Sequence, residues 1–185
     1  LEKASDLAKK EGIEIKLLEA DTRIIPYPSN FFDFILSWGV IEHFNNYEMA
    51  IEEFYRVLKP GGVLNLIQPN KLSLGGLQRK YLELIGKWES GRQVEFSGKF
   101  LEKLLIQKGF DNISYFAEPA FTDMRLVHYT DLFMNKLSKT WGHYLYVLAN
   151  KKKESSIQRT VVLIKPDAFQ EDLTDEILSR IQSMD

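Results

Sequence analysis

The 185 residues suffice for one domain, or for a domain with part of another, because domains mostly hold about 100 to 150 residues; two complete enzymes do not fit. Lys and Arg number 24 against 26 Asp and Glu, a net charge of −2, with no single-sign block to attract a polyanion, so no nucleic-acid partner is expected. The 44% apolar content implies a real core, the absence of Cys excludes a disulfide framework and a cysteine nucleophile, and three scattered His give no metal-ligand spacing.

In chain order, Ala4, Leu7 and Ala8 stand at helical spacing before Gly12, which predicts a helix over 1–11 with a glycine cap. Ile13, Ile15 and Leu17 alternate with Glu14 and Lys16, a strand pattern ending near Ala20 with Asp21 just beyond it. Pro26, Pro28, Ser29 and Asn30 make a loop into the apolar run Phe31 to Trp38, which reads as a central buried strand. Asn45 is placed to cap the next helix, whose stripe is Ile51, Phe54, Tyr55 and Leu58, and Lys59-Pro60-Gly61-Gly62 stops it before the buried strand Val63 to Ile67.

Residues 72–92 read as a helix flanked by glycines, and Ser97 as the cap of a helix striped by Phe100, Leu101, Leu104 and Leu105 and ended by Gly109. Ile113 to Ala117 and Tyr144 to Ala149 follow as strands, with a partly helical insertion at 122–139 between them. The polar stretch Asn150 to Ser156, with Lys151, Lys152 and Lys153, reads as a linker, after which Thr160 to Ile164 is a further strand and Leu173 to Ile181 a further helix. Strands alternating with helices predict a mostly parallel α/β sheet. No apolar run approaches the roughly 20 residues that span a bilayer, and the charged start is no signal peptide. The expectation is a cytoplasmic protein with no membrane partner.

Asp21-Thr22, the loop through Pro26-Tyr27, Phe32-Asp33, Glu42-His43 and Leu58-Lys59-Pro60-Gly61-Gly62, in that order and spacing, resemble a class I SAM-dependent methyltransferase over residues 1–150. That resemblance implies a Rossmann-like sheet with S-adenosyl-L-methionine across the carboxyl ends of its strands and a small-molecule methyl acceptor. It also implies that Asp21 accepts from the adenine amino group while Thr22 offers its backbone N–H to the ring. Ser37, Trp38 and Gly39 would line the methionine side, where an aromatic face suits a sulfonium; core packing is the alternative for Trp38. Glu42 and His43 stand toward the acceptor, as base or as shapers of the next helix. The family's glycine-rich turn and ribose-holding acid are not in this sequence, so the sheet is expected to lack its first two strands. A gap between strands 13–20 and 31–38 would follow, with poor cofactor binding by the chain.

Residues 158–185, with Ile164-Lys165-Pro166-Asp167-Ala168, are similar to the start of a nucleoside diphosphate kinase. That implies a strand-helix fragment of a ferredoxin-like domain behind a linker at 151–157. Lys165 would then reach nucleotide phosphates, although the kinase's phosphate-accepting His has no counterpart after residue 158. A non-catalytic fragment of such a fusion is the alternative function, ahead of a phosphotransferase. An NAD-dependent dehydrogenase stands last, because Tyr55 and Lys59 have the YxxxK spacing but the helix ends at Lys59-Pro60. The acceptor would be chosen by segments 70–96 and 118–142, whose Leu72, Tyr81, Trp88, Phe121, Tyr129, Phe133 and Trp141 hint at an apolar molecule, with core packing the alternative for most of them. Oligomeric state is not legible.

Overall fold

In the computed structural model, residues 1–87, 93–119, 125–151 and 160–164 are described. The elements run α1 (Glu2–Lys10), β1 (Phe32–Trp38), a 3-10 turn (Ile41–His43), α2 (Tyr47–Val57), β2 (Leu58–Pro69), α3 (Leu74–Leu84), α4 (Gly98–Gln107), β3 (Asp111–Glu118), α5 (Arg125–Leu137), β4 (Tyr144–Asn150) and β5 (Thr160–Ile164). One five-stranded sheet has the order β3-β4-β2-β1-β5. β1 lies parallel to both β2 and β5, whereas β4 is antiparallel to β2 and to β3, so a parallel centre carries a reversed hairpin at one side.

Period-two side-chain alternation sorts the sheet residues onto two faces. Ile35, Leu64, Leu66, Leu145, Val147 and Ala149 share one core cluster with Ala50, Ile51, Phe54 and Val57 of α2 and Leu101, Leu104 and Leu105 of α4. On the other face Leu36, Ile67 and Tyr146 pack with Phe34, Trp38 and Tyr144. α2 stops at Val57 because Leu58 already has extended backbone. Gly62 then lets the turn close: a Cβ there would stand 2.9 Å from the carbonyl oxygens of both Asp33 and Lys59.

Two polar knots fix the loops around this frame. Arg56 donates to the carbonyls of Tyr27 and Ile25 at 2.8 and 2.9 Å, and Glu53 accepts from the Ile25 amide at 2.9 Å, tying the loop before β1 to α2. Lys151 donates to the Tyr55 and Leu58 carbonyls at 2.6 and 2.9 Å with its ammonium 4.3 Å above the Tyr55 ring. Lys59 is paired with Asp33 at 3.0 Å, so Tyr55 and Lys59 are both engaged structurally, as their place at a helix end implies.

Three expectations need correcting. Residues 13–20 form no strand, and Ile15, Leu17 and Leu18 are exposed; alternation supplies a strand's side chains, but a strand also needs a neighbouring backbone, and none of the described strands pairs with it. The N-cap of α2 is Asn46 rather than Asn45, without a side-chain cap bond; the Asn46 side-chain Oδ1 accepts from the Arg23 guanidinium at 3.2 Å instead. The strand at 160–164 forms as expected but joins the same sheet, beside β1, where the sequence led us to expect an open gap. The kinase-like stretch from Lys165 onward and the linker residues 152–157 lie outside the described residues.

Candidate functional site

The carboxyl ends of β1 and β2 and the amino end of β4 share one edge of the sheet, Pro69 lying opposite Tyr144. In open α/β sheets this is the edge that binds ligands. Trp38 ends β1 there, in edge-to-face contact with Tyr144 at 6.1 Å between ring centres. Gly39 follows with φ +65°, a conformation that glycine adopts without steric cost, and its amide donates to the Ile67 carbonyl at 3.0 Å.

The next turn, Ile41–His43, packs back beneath Gly39. Glu42 is 2% exposed, and its Oε1 stands 3.5 Å from where a Gly39 Cβ would be. His43 Nε2 is 3.6 Å from the same oxygen. Glu42 therefore faces inward, whereas His43 keeps 23% of its side chain accessible. Ser37 is fully buried on the face opposite Trp38, so only its backbone can border a ligand at this edge.

Asp21 and Thr22 arrive from the loop before β1. Arg23 holds the Asp21 carboxylate through its guanidinium at 2.6 and 2.9 Å and through its own amide at 2.9 Å. The Arg23 side-chain hydrogen bonds foremost, then its amide, hold the Asp21 carboxyl down at about 2. The same guanidinium lies 4.9 Å from the centre of the Phe44 ring and bonds Asn46. One cation thus joins the Asp21 loop to the segment beyond β1 at Phe44 and Asn46. Thr22 is buried, with no hydrogen-bond partner for its hydroxyl among the described residues.

Several residues at this edge were not singled out in the sequence. Asn70 donates to the carbonyls of Leu72, Thr140 and Gly142 at 3.1, 2.9 and 2.9 Å, and its backbone amide bonds the His143 carbonyl. It staples the start of the α3 region to the segment entering β4. Ser73 caps α3 by accepting from Gly76 at 2.9 Å. Asp131, fully buried on α5, accepts from Trp141 Nε1 at 3.0 Å. Burial pushes the His143 imidazole below its ordinary value, with Asp131 acting weakly the other way. Gln68 is fully buried, and neither end of its carboxamide has a partner among the described residues. The only sequence signal for these was the polar cluster that closes β2, Gln68-Pro69-Asn70, which reads equally as a turn.

A cavity of about 460 Å³ lies between the end of β3 and α5, lined by Phe116, Pro119, His128, Leu132, Asn135 and Lys139 among others. Among the described residues, no group of His, Asp or Glu is arranged to hold a metal ion, and no helix is long and apolar enough to cross a membrane.

Residues 1–66 match the family described as a methyltransferase domain. A demethylmenaquinone methyltransferase of Thermus thermophilus is 37% identical over 81 residues, which covers 42% of this chain and 37% of that protein. The chloroplastic 2-methyl-6-phytyl-1,4-hydroquinone methyltransferase 1 of Oryza sativa is 44% identical over 69 residues, covering 37% of this chain and 20% of that one. The chain thus spans well under half the length of either relative. Among solved structures, a SAM-dependent methyltransferase from Thermotoga maritima, titled a possible histamine N-methyltransferase, superposes with a TM-score of 0.60 at 22% identity. That superposition covers 82% of this chain and 70% of the other. The chain has the fold of SAM-dependent methyltransferases.

Proposed function

We propose that this chain carries the adenine and methionine sides of an S-adenosylmethionine site, in an enzyme that methylates a small ring-bearing acceptor of the hydroquinone class. The observation that carries the reading is the Arg23 bridge, which sets the Asp21 loop beside the turn after β1 at the ligand-binding edge. The residues there fit that cofactor: an ionised carboxylate, a buried hydroxyl with no partner among the described residues, an aromatic ring and a glycine with no Cβ.

Asp21, with its carboxyl held down at about 2, is an acceptor for an exocyclic amine throughout the neutral range. Thr22 offers its backbone N–H beside it. The face of Trp38 and the carbonyls leading to Gly39 suit the cationic end of the cofactor. Bound there, the cofactor supplies an electrophilic methyl group on a sulfonium. The chain's part is to hold two reactants in line, which alone can account for about 7 to 11 kcal/mol of a barrier. His43 is the more accessible of the expected pair; because its Nε2 is buried beside Glu42, its Nδ1 is the nitrogen that takes the proton of an acceptor hydroxyl. Glu42, packed under Gly39, holds the turn rather than meeting the acceptor.

The acceptor class follows the two curated relatives, named for a menaquinone precursor and a phytyl hydroquinone. The cavity between β3 and α5, at about 460 Å³, falls within the usual range for small-molecule pockets, about 300 to 1,000 Å³, and its Phe116, Pro119 and Leu132 walls suit a ring.

Calorimetric titration with S-adenosylhomocysteine tests the reading, on this chain and on one extended at its amino end by the genomic upstream sequence. The extended chain is expected to bind, and Asp21→Ala to weaken binding about tenfold or more, as loss of a hydrogen bond to a charged group does. An extended chain that fails to bind, or an Asp21→Ala variant that binds unchanged, refutes it.

A further inference from the structure

We infer that one face of α5 seats this chain on an anionic lipid surface, next to the cavity between β3 and α5. Tyr129, Phe133 and Leu137 follow one another at four-residue steps, which places them on one face of the helix, and they are 66, 62 and 69% exposed. The row runs about 12 Å along the helix axis. Single exposed apolar side chains are ordinary, but a contiguous row of large ones marks a contact surface. Other residues hold the helix in place. Asp131, fully buried, accepts from Trp141 at 3.0 Å, and Asn135 donates to the Ala117 and Trp141 carbonyls at 2.7 and 2.6 Å.

Two arguments select a membrane as the occupant. The first is charge. Between residues 128 and 139 the acid is Asp131 alone, and it is buried, whereas Lys136 and Lys139 are exposed; Glu118 stands across the cavity on β3. The exposed charge of α5 and the turn after it is therefore positive, the complement of anionic headgroups. Lys136, three residues on from Phe133, borders the row. From there its long stem carries the ammonium to headgroup level while Phe133 and Leu137 sit deeper, and the Tyr129 ring suits the interface itself. The second argument is the adjoining face of the helix. His128, Leu132 and Asn135 line the cavity, so α5 borders the pocket on one face and carries the apolar row on the next. An apolar acceptor of the class proposed above partitions into a bilayer, and a helix seated on that bilayer sets the pocket beside its source; this argument rests on that reading. The expectation of no membrane partner came from the lack of a run long enough to span a bilayer, and lying on its surface requires none.

Vesicle flotation of the full chain tests this. The chain is expected to rise with vesicles of equal parts phosphatidylcholine and phosphatidylglycerol, and to bind vesicles of phosphatidylcholine alone about tenfold or more weakly. Phe133→Ser/Leu137→Ser should weaken binding about tenfold or more, and Lys136→Glu, a surface change that guards against a double variant that fails to fold, should weaken it on the anionic vesicles only. Because the sequence has no Cys, a fluorophore on Phe133→Cys reports the face directly: its emission should shift to the blue with anionic vesicles, while the same label on Lys3→Cys in α1 should not respond. A chain that stays with the solvent fraction, variants that float as the parent does, or an unshifted label at 133 overturns the inference. So does a label already shifted without vesicles in a chain that sediments as a dimer, which gives the face to a second copy. No cofactor analogue enters the assay, so its failure and a failure to bind S-adenosylhomocysteine are read separately.

Discussion

Replacing Gly39 and Gly62 one at a time distinguishes two physical reasons for a glycine at opposite ends of β1. At Gly39 there is room, since an added Cβ meets Glu42 Oε1 at 3.5 Å, an ordinary contact, but φ is +65°. An L-residue held there loses about 1–2 kcal/mol. At Gly62 the difficulty is space: the Cβ would stand 2.8 Å from Leu58 Cδ2 and 2.9 Å from the Asp33 and Lys59 carbonyl oxygens. Two of those three atoms are backbone, so β1 and β2 must move apart, an overpacking cost of about 1–3 kcal/mol. A less flexible unfolded chain offsets about 0.4–1 kcal/mol of any glycine-to-alanine loss where the backbone is compatible. At about 2–4 °C per kcal/mol for a chain of this size, Gly39→Ala should lower Tm by about 2–8 °C, and Gly62→Ala by a similar or larger amount. Asparagine separates the two, because it tolerates left-handed backbone but is larger than alanine. Gly39→Asn should recover much of the loss, and Gly62→Asn should deepen it. Thermal and urea unfolding followed by circular dichroism, with a check that m is unchanged, reads both. If Gly62→Ala melts within about 1 °C of the parent, the close approach of the two strands is refuted. Gly39→Asn no better than Gly39→Ala refutes the backbone argument.

Removing the guanidinium with Arg23→Met should raise the Asp21 carboxyl from about 2 toward its ordinary value. The rise should stop short of it, because the residue 23 amide still donates. A folded pKa below the unfolded one stabilises above the ordinary carboxylate range and loses that contribution as pH falls through about 2; a carboxyl titration by NMR that is unchanged in the variant rules out the bridge. Burial lowers the His143 pKa, so the unfolded chain takes up the proton first and the fold loses stability as pH drops below the ordinary His value. His143→Gln should flatten that part of the Tm–pH curve, and a parallel curve counts against the buried imidazole. Asn70→Ala strips the donor from three carbonyls and should cost about 1–3 kcal/mol. Limited proteolysis should then cut near 70–73 and 140–143, and unaltered resistance would show that the staple is dispensable.

Much of the fold was legible because its signals are local. The runs at 31–38 and 63–67 were apolar enough to mark central strands, and Ser97 capped its helix as its type demands, accepting from Phe100 at 3.3 Å; Lys59-Pro60-Gly61-Gly62 marked the neighbourhood of the end of α2, although Leu58, expected on the helix stripe, already opens β2. At the site, Trp38 and Gly39 were read from the end of the central strand, which forms, whereas Asp21 was read from the end of a strand at 13–20 that does not. Asn70 and His143 were missed because their importance lies in contacts between distant segments, Asn70 bonding Thr140, Gly142 and the His143 carbonyl.

The amino-acid sequence alone determined where the chain turns, which stretches bury themselves and that a parallel α/β sheet results, since backbone propensity and side-chain periodicity act over a few neighbouring residues. Tertiary structure decided the rest. Residues 13–20 have a strand's alternation without a partner, whereas 160–164 found one beside β1; pairing is a property of two segments, and no single segment encodes it. In the same way Glu42 turned inward beneath Gly39 while His43 stayed partly accessible, because the packing of a turn against its neighbours, and not the residue type, chooses which side chain is buried.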